Sequence, residues 1–463
     1  MSDLTSIVHE HSAELLGELG VCIPEAGILE RLRRAGLPVD AETQMVRFPP
    51  EALEELLGRA PRTLDLYARD GQSAVPFNEG PRFMGSGTPA AVFDLETGER
   101  RPSTRQDVID MVRLEDALPE VDLVRPTMTA TDVPGDSSLL EIADCFRNTS
   151  KHVVHRVLSL EMVERATALA AAVVGGEEIL RRRPIMSVIY CPISPSYMTT
   201  ESVQCVFGFA AHAVPVTVLS MAMGGASAPV TLLGELVVIN TEVIGYIAAI
   251  QALHPGAPVL YGTVSSVLDM RTGLLPLGAP ERGMVNAGGA LMAQHYHLRS
   301  MCAGISSDAK ELDAQAGFEK ALTVIPVLQA GADIIYGIAS TDSGSTASFT
   351  QAVLDAEMIG GLRRMLQGIE VHDLAEEMAM IKRLTPRGNF LTEQHTREHF
   401  KANWMPQLFS RVHYTLWQEE GRSMAQVVRA HTRRLLAEHK PPPLSEAAET
   451  AVRNILTEDG RIP

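Results

Sequence analysis

What most constrains this chain is an alternation. From about residue 120 to residue 370, short β-branched or apolar runs are each followed by a longer stretch with helical spacing. The runs fall at 122–127, 152–158, 185–190, 216–221, 259–263, 300–305 and 333–338. The helical stretches lie near 137–149, 160–175, 200–213, 231–253, 281–297, 313–330 and 350–367. An eighth strand is expected at 90–93, followed by a helix over 104–117. Parallel neighbours need a crossover connection, so repeated strand–helix alternation implies a parallel sheet. Eight such units are the number that closes a barrel. The competing arrangement, an open doubly wound sheet, lacks its usual mark: no Gly-x-Gly-x-x-Gly turn follows the first strand, and Gly85-Ser86-Gly87 is a lone Gly-x-Gly. The expected fold is α/β, a (β/α)8 TIM barrel over 81–370. A helical N-terminal extension (1–80) and a helical C-terminal extension packed on the barrel (371–463) complete it.

Several function classes are disfavoured by charge and motif content. The formal net charge is -17 and no long basic stretch offsets it, which argues against binding nucleic acid or a strongly anionic membrane. Five scattered cysteines, with no Cys-x-x-Cys, fit a reducing compartment better than a disulfide framework. The first residues lack the basic and apolar blocks of a signal peptide. The most apolar stretch, 232–253, carries Glu235, Asn240 and Glu242, which suits a buried helix rather than a membrane span. A cytoplasmic protein is expected. No grouping of Cys and His has zinc-site spacing, and neither a phosphate-binding Gly-x-x-x-x-Gly-Lys loop nor a Gly-x-Ser-x-Gly elbow is present.

In a (β/α)8 barrel the active site lies at the C-terminal ends of the strands. That rule selects His155 and Arg156 after strand three, Tyr190 and Cys191 after strand four, and Met221, Met223, Gly224 and Gly225 after strand five. Tyr261 and Gly262 follow from strand six, Gly304, Ser306, Ser307, Asp308 and Lys310 from strand seven, and Tyr336 from strand eight. Small residues there either allow tight turns or let a large planar group or a partner's backbone approach closely. Ser307-Asp308-x-Lys310 is the most functional-looking polar cluster, and a helix cap is the alternative reading of it.

Longer blocks carry a resemblance. Met221-Ala222-Met223-Gly224-Gly225-Ala226, Tyr261-Gly262-Thr263-Val264-Ser265-Ser266, Ser307-Asp308-Ala309-Lys310 and Asp355-Ala356-Glu357 resemble signatures of the trimethylamine:corrinoid methyltransferase family. Further matches at 9–20, 66–70 and 93–98 extend the similarity over nearly the whole chain. The resemblance implies a barrel enzyme that moves a methyl group from a methylated amine to cobalt(I) in a separate corrinoid protein. No cofactor would be covalently bound, and the corrinoid (cobalamin) would come with the partner. The founding members carry pyrrolysine just before a Ser-Asp-x-Lys stretch, which aligns with Ser306 here. This sequence holds no pyrrolysine, and members of that kind resemble quaternary-amine demethylases, with glycine betaine the best-known substrate class.

A betaine would ask two things of the barrel mouth. Its trimethylammonium head favours aromatic faces, for which Tyr190, Tyr261, Tyr336 and Phe349 are candidates. Its carboxylate favours a cation or donors, for which His155, Arg156, Arg271 and Lys310 are candidates. Ser306 and Asp308 would carry the catalytic position, and Gly224, Gly225, Gly262, Gly304 and Ser307 would face the corrinoid. Trimethylamine or another methylamine as donor, a non-catalytic quaternary-amine sensor, and a lyase or hydrolase using Asp308 and Lys310 as acid and base are the alternatives. A homo-oligomer is expected.

Overall fold

The computed structural model describes residues 2–460. Eight parallel strands close into a barrel: β1 (Arg82–Gly85), β2 (Leu123–Val124), β3 (His152–His155), β4 (Met186–Tyr190), β5 (Val216–Ser220), β6 (Val259–Thr263), β7 (Arg299–Ala303) and β8 (Ile334–Ile338). Each strand pairs with its successor in the chain, and β8 pairs with β1. The outer ring is α1 (Arg105–Ala117), α2 (Ser138–Asn148), α3 (Leu160–Val174), α4 (Thr200–Ala211), α5 (Leu232–Leu253), α6 (Pro280–His295), α7 (Ala314–Gln329) and α8 (Phe349–Leu366).

One expected strand is displaced. The first barrel strand is Arg82–Gly85, not 90–93. Its apolar core is only Phe83-Met84, too short a run to read as a strand. Ala91–Phe93 instead joins a four-stranded sheet with Arg100–Pro102, Thr346–Ser348 and Ser340–Thr341. Its turn is built by Asp94, whose Oδ1 accepts the N–H groups of Glu96 and Thr97, each at 2.9 Å.

Strand starts are tied by a repeated device. Asp122, just before β2, accepts the Phe83 N–H of β1 at 2.8 Å and pairs with Arg82 at 3.1 Å. Asp333, just before β8, does the same for Ser300 of β7 (2.8 Å) and pairs with Arg299 (2.7 Å). Above them Met84, Leu123, Val154, Ile189, Leu219, Leu260 and Met301 fill the interior, and Leu64, Leu66 and Val75 close it from the N-terminal side.

The layout of α5 explains its composition. It is the one helix among the described residues long and apolar enough to cross a membrane, yet 78% of that window is buried inside the protein. The helices Ser2–Glu18, Ala26–Arg34 and Pro50–Gly58 pack over it. A side chain at Gly245 would meet Val21 at 2.6 Å, so glycine is what lets this layer approach. Glu242 and Asn240 of α5 face the barrel. Glu242 accepts Ser220 Oγ at 2.6 Å and Ser196 N at 2.9 Å, and Asn240 Oδ1 accepts the Tyr261 hydroxyl at 3.2 Å.

At the other end, Met424–Glu438 packs on α8 and α1, and Glu446–Glu458 on α3. The intervening stretch 369–423 is a departure from the expected packed extension. Only Leu408 is buried there, and the stretch is tied to α8 where the Glu357 carboxylate accepts Leu408 N at 2.9 Å.

Gly262 is dictated by the barrel interior. It lies beside Leu219 in the β5–β6 register, and a Cβ there would sit 2.5 Å from Leu219 Cδ1. Gly262→Ala is therefore expected to overpack the interior and cost roughly 1–3 kcal/mol. Thermal or denaturant unfolding reads this, and a variant as stable as the parent would contradict the assignment.

Candidate active site at the barrel mouth

Side chains alternate across a strand, so only every second residue points into a barrel. The interior rows of Leu123, Ile189, Leu219 and Ile334 continue, two residues on, as Arg125, Cys191, Met221 and Tyr336. These reach the C-terminal rim. Here lies a cavity of about 510 Å³ whose walls include Met221, Met223, Val264, Leu277, Arg282, Ser306, Tyr336 and Ser340. Its size is ordinary for a small-molecule site, and most of its lining carries no formal charge.

Two cations stand at this mouth. Arg125 is 6% exposed, and its guanidinium lies 5.4 Å from the centre of the Tyr336 ring. Arg282, in the first turn of α6, is 2% exposed and donates from one terminal nitrogen to Val264 O at 2.7 Å. Its pKa is pushed down to about 10 by burial. The Nε of each arginine is buried with no hydrogen-bond partner, and neither side chain forms an ion pair among the described residues. The carboxyl closest in character to a counter-ion for Arg125 is Glu115 of α1, fully buried and accepting Thr127 Oγ1 at 2.5 Å. Burial raises its pKa to about 8, against opposing interactions with Thr127, Lys151 and Arg125. Burial thus favours the neutral form of Glu115, which weakens it as a counter-ion for Arg125.

Some of the expected residues converge here. Ser306 lines the cavity, 2% exposed, with its N–H donating to Thr323 Oγ1 at 3.1 Å and its hydroxyl to Gly304 O at 3.0 Å. Tyr336, on the neighbouring strand, lines the same cavity. Gly225 is exposed on the rim with φ 90°.

The others are placed elsewhere, each for a visible reason. Tyr190 and Tyr261 are paired side by side with Val218 on the outward face of the sheet. The Tyr190 hydroxyl donates to Val157 O at 2.8 Å, and the Tyr261 ring stacks on Tyr296. Neither reaches the mouth. Phe349 opens α8 and lines a separate cavity of about 320 Å³, together with Lys310. Lys310 is exposed and donates to Asp308 O at 2.6 Å. Asp308 is a loop tie: it accepts Leu277 N (2.7 Å), Gly278 N (3.0 Å) and Ser343 Oγ (2.8 Å). An acid–base pair of Asp308 and Lys310 finds no support in this arrangement.

Among the residues expected to face a corrinoid, Ser307 turns to α7 and donates to Glu319 at 2.8 Å. Gly304 faces Ile335 and Val324, Gly262 faces Leu219, and Gly224 is small because Glu235 lies behind it. His155 is bound to Glu141 at 2.9 Å in a neighbouring cavity of about 180 Å³, which Arg156 also lines from an exposed position. Arg271 is exposed and paired with Asp269. Arg125 and Arg282 went unnoticed in the sequence. Arg125 was legible in principle, since it continues the inward parity of Leu123, whereas Arg282 reaches the site from a helix, which strand-end reasoning does not search.

The trimethylamine methyltransferase (MTTB) family model matches residues 1–458. The chain belongs to that family. It is 34% identical over 455 residues, 97% of this chain and 92% of the other, to the trimethylamine methyltransferase MttB of Desulfitobacterium hafniense (strain DSM 10664 / DCB-2). It is 28% identical over 465 residues, 99% of this chain and 96% of the other, to the glycine betaine methyltransferase of Desulfitobacterium hafniense (strain Y51). The fold is similar to the crystal structure of the Methanosarcina barkeri monomethylamine methyltransferase, with a TM-score of 0.50 at 12% identity, covering 99% of this chain and 87% of that one. The chain is thus a methyltransferase-family barrel, as the sequence blocks implied.

The raised pKa of Glu115 fixes a sign. The folded state holds this proton above the pH at which the unfolded chain, near 4.5, releases it. The unfolded state then binds fewer protons, so stability falls as pH rises between about 4.5 and 8. Glu115→Gln removes that slope. The variant is expected to gain thermal stability relative to the parent as pH increases from 5 to 9, and parallel pH profiles for the two would refute the buried neutral carboxyl.

Proposed function

We propose that this protein transfers a methyl group from a zwitterionic quaternary amine, glycine betaine or a close relative, to the cobalt(I) of a corrinoid carried by a separate protein. The observation that carries this reading is the pair of buried guanidinium groups, Arg125 and Arg282, without a carboxylate partner at an otherwise uncharged mouth. Buried charges are normally paired. A ligand with a carboxylate supplies an anion in direct contact, whereas trimethylamine would leave both cations without an ion-pair partner.

Chemistry points the same way. A tertiary amine is a poor methyl donor because its leaving group would be an amide-like anion. A quaternary ammonium releases a neutral amine: the C–N electron pair stays on nitrogen and the methyl group departs without one. The corrinoid cobalt supplies the electron pair that accepts the methyl group. The protein's task is to orient and desolvate, and no proton has to move in the transfer step. An ordinary serine at position 306 suffices for such a donor. Tyr336 offers its ring to the ammonium head, and Met223 and Val264 wall the site against water. Met221, Met270 and Leu274 are exposed around the mouth, apolar ground on which a flat macrocycle can rest.

The test mixes the protein with glycine betaine, cob(I)alamin and a corrinoid-binding partner, and follows the cobalt spectrum to methylcobalamin. Methyl transfer is expected from a betaine and not from trimethylamine. In Arg125→Met the KM for betaine is expected to rise roughly 10- to 100-fold, the loss of a charged hydrogen bond. Turnover of trimethylamine with none of any betaine would overturn the reading.

A further inference from the structure

Two residues flanking the mouth have left-handed backbones although neither is glycine. Ile305, just before Ser306, has φ 47°, and Ala339, three residues after Tyr336, has φ 67°. For a β-branched residue this region is costly and persists only where the surroundings enforce it. The enforcing groups lie directly behind. Lys320 of α7 donates from Nζ to Ile305 O at 2.9 Å. Asp355 of α8 accepts the Ala339 N–H at 2.9 Å. The two side chains bond each other at 2.9 Å, and both are 0% exposed. Gln351 completes the set by donating to the second Asp355 oxygen at 2.7 Å.

The turns after β7 and β8 also interlock directly. At Gly337, φ is 144°, and a Cβ there would lie 2.2 Å from Gly304 O. Ser306 itself is gripped by Thr323, one turn along α7 from Lys320, which accepts its N–H at 3.1 Å and donates to its carbonyl at 3.2 Å. One buried ion pair thereby joins α7 to α8 and fixes the two strand ends that carry Ser306 and Tyr336.

We propose that Lys320 and Asp355 form a positioning clasp: the pair holds the β7 and β8 ends in their left-handed turns so that Ser306 and Tyr336 present a preformed wall to the methyl donor. Neither residue touches substrate. The kinetic part of this inference rests on the methyl-transfer reading above. A buried ion pair is by itself weak evidence for stability, because well-packed apolar replacements often fold as well. That fact separates positioning from mere support.

The experiment compares wild type with Lys320→Met/Asp355→Leu, in which no buried charge is stranded, and with the near-isosteric Asp355→Asn should the double variant fail to fold. A clasp predicts a folded protein whose kcat for betaine-dependent methyl transfer falls roughly 10- to 100-fold, the cost of a misplaced site, with KM changed by less than about threefold. Hydrogen exchange of ligand-free protein serves as the second readout, independent of any substrate. The amides of Ser306 and of 337–341 are expected to exchange faster in the variant, while β3 and β4 remain as protected as in wild type. A folded variant with unchanged exchange at those amides, or with wild-type kcat, would overturn the clasp. Failure of wild type to demethylate any betaine would instead sink the methyl-transfer reading and leave the exchange result to decide the clasp.

Discussion

A guanidinium buried without a carboxylate is the physical fact on which the functional account turns. Desolvating a charge costs several kcal/mol even after relaxation, and proteins normally offset it with a partner. Here Arg125 has a ring face beneath it and Glu115 nearby, whose carboxyl is pushed by burial toward its neutral form, and Arg282 has backbone carbonyls. Neither arginine has a carboxylate in ion-pair contact among the described residues; Asp308 acts on Arg282 only at longer range. The barrel sets where such an arrangement lies: Arg125 follows β2 and sits behind the Tyr336 ring of the cavity wall, Arg282 lines the cavity itself, and the interior below is filled with Leu, Val, Ile and Met. A mouth that is cationic at one place and apolar elsewhere is complementary to a small zwitterion.

The same barrel fixes what can move. The loops after β7 and β8 carry the wall of the site, and they are held from behind by side chains of α7 and α8 rather than by the ligand. On the opposite side, α5 joins the strand ends of β4 and β5 through Glu242. The mouth is therefore tied from behind on two sides, by α5 and by α7 with α8.

The alternation of strand and helix made the barrel readable from sequence, and seven of its strands fell where apolar runs placed them. The first escaped because Phe83-Met84 is a two-residue run flanked by Arg82 and Gly85, while Ala91–Phe93, richer in strand-forming residues, serves a peripheral sheet. Site residues were harder, for a reason of geometry. A single-residue change of parity exchanges inside for outside. Tyr190 and Tyr261, aromatic and near strand ends, face helices, whereas Tyr336 faces the mouth. Glycines at strand ends proved to be dictated by packing against Leu219, Val324 and Glu235. Asp308 read as chemistry because it is polar and central, and three loop groups occupy its carboxylate. Pairing across a barrel, such as Arg125 over Tyr336, joins residues more than two hundred positions apart and leaves no local signal.

The most direct test of the central claim is a binding measurement that needs no corrinoid. Calorimetric titration of the protein with glycine betaine, and with choline, compares two ligands that share a trimethylammonium head and differ in the carboxylate. The account predicts saturable binding of glycine betaine at least about tenfold tighter than that of choline, a difference of roughly 1.4 kcal/mol or more. Choline binding as tightly as glycine betaine would show that the buried arginines do not await an anion.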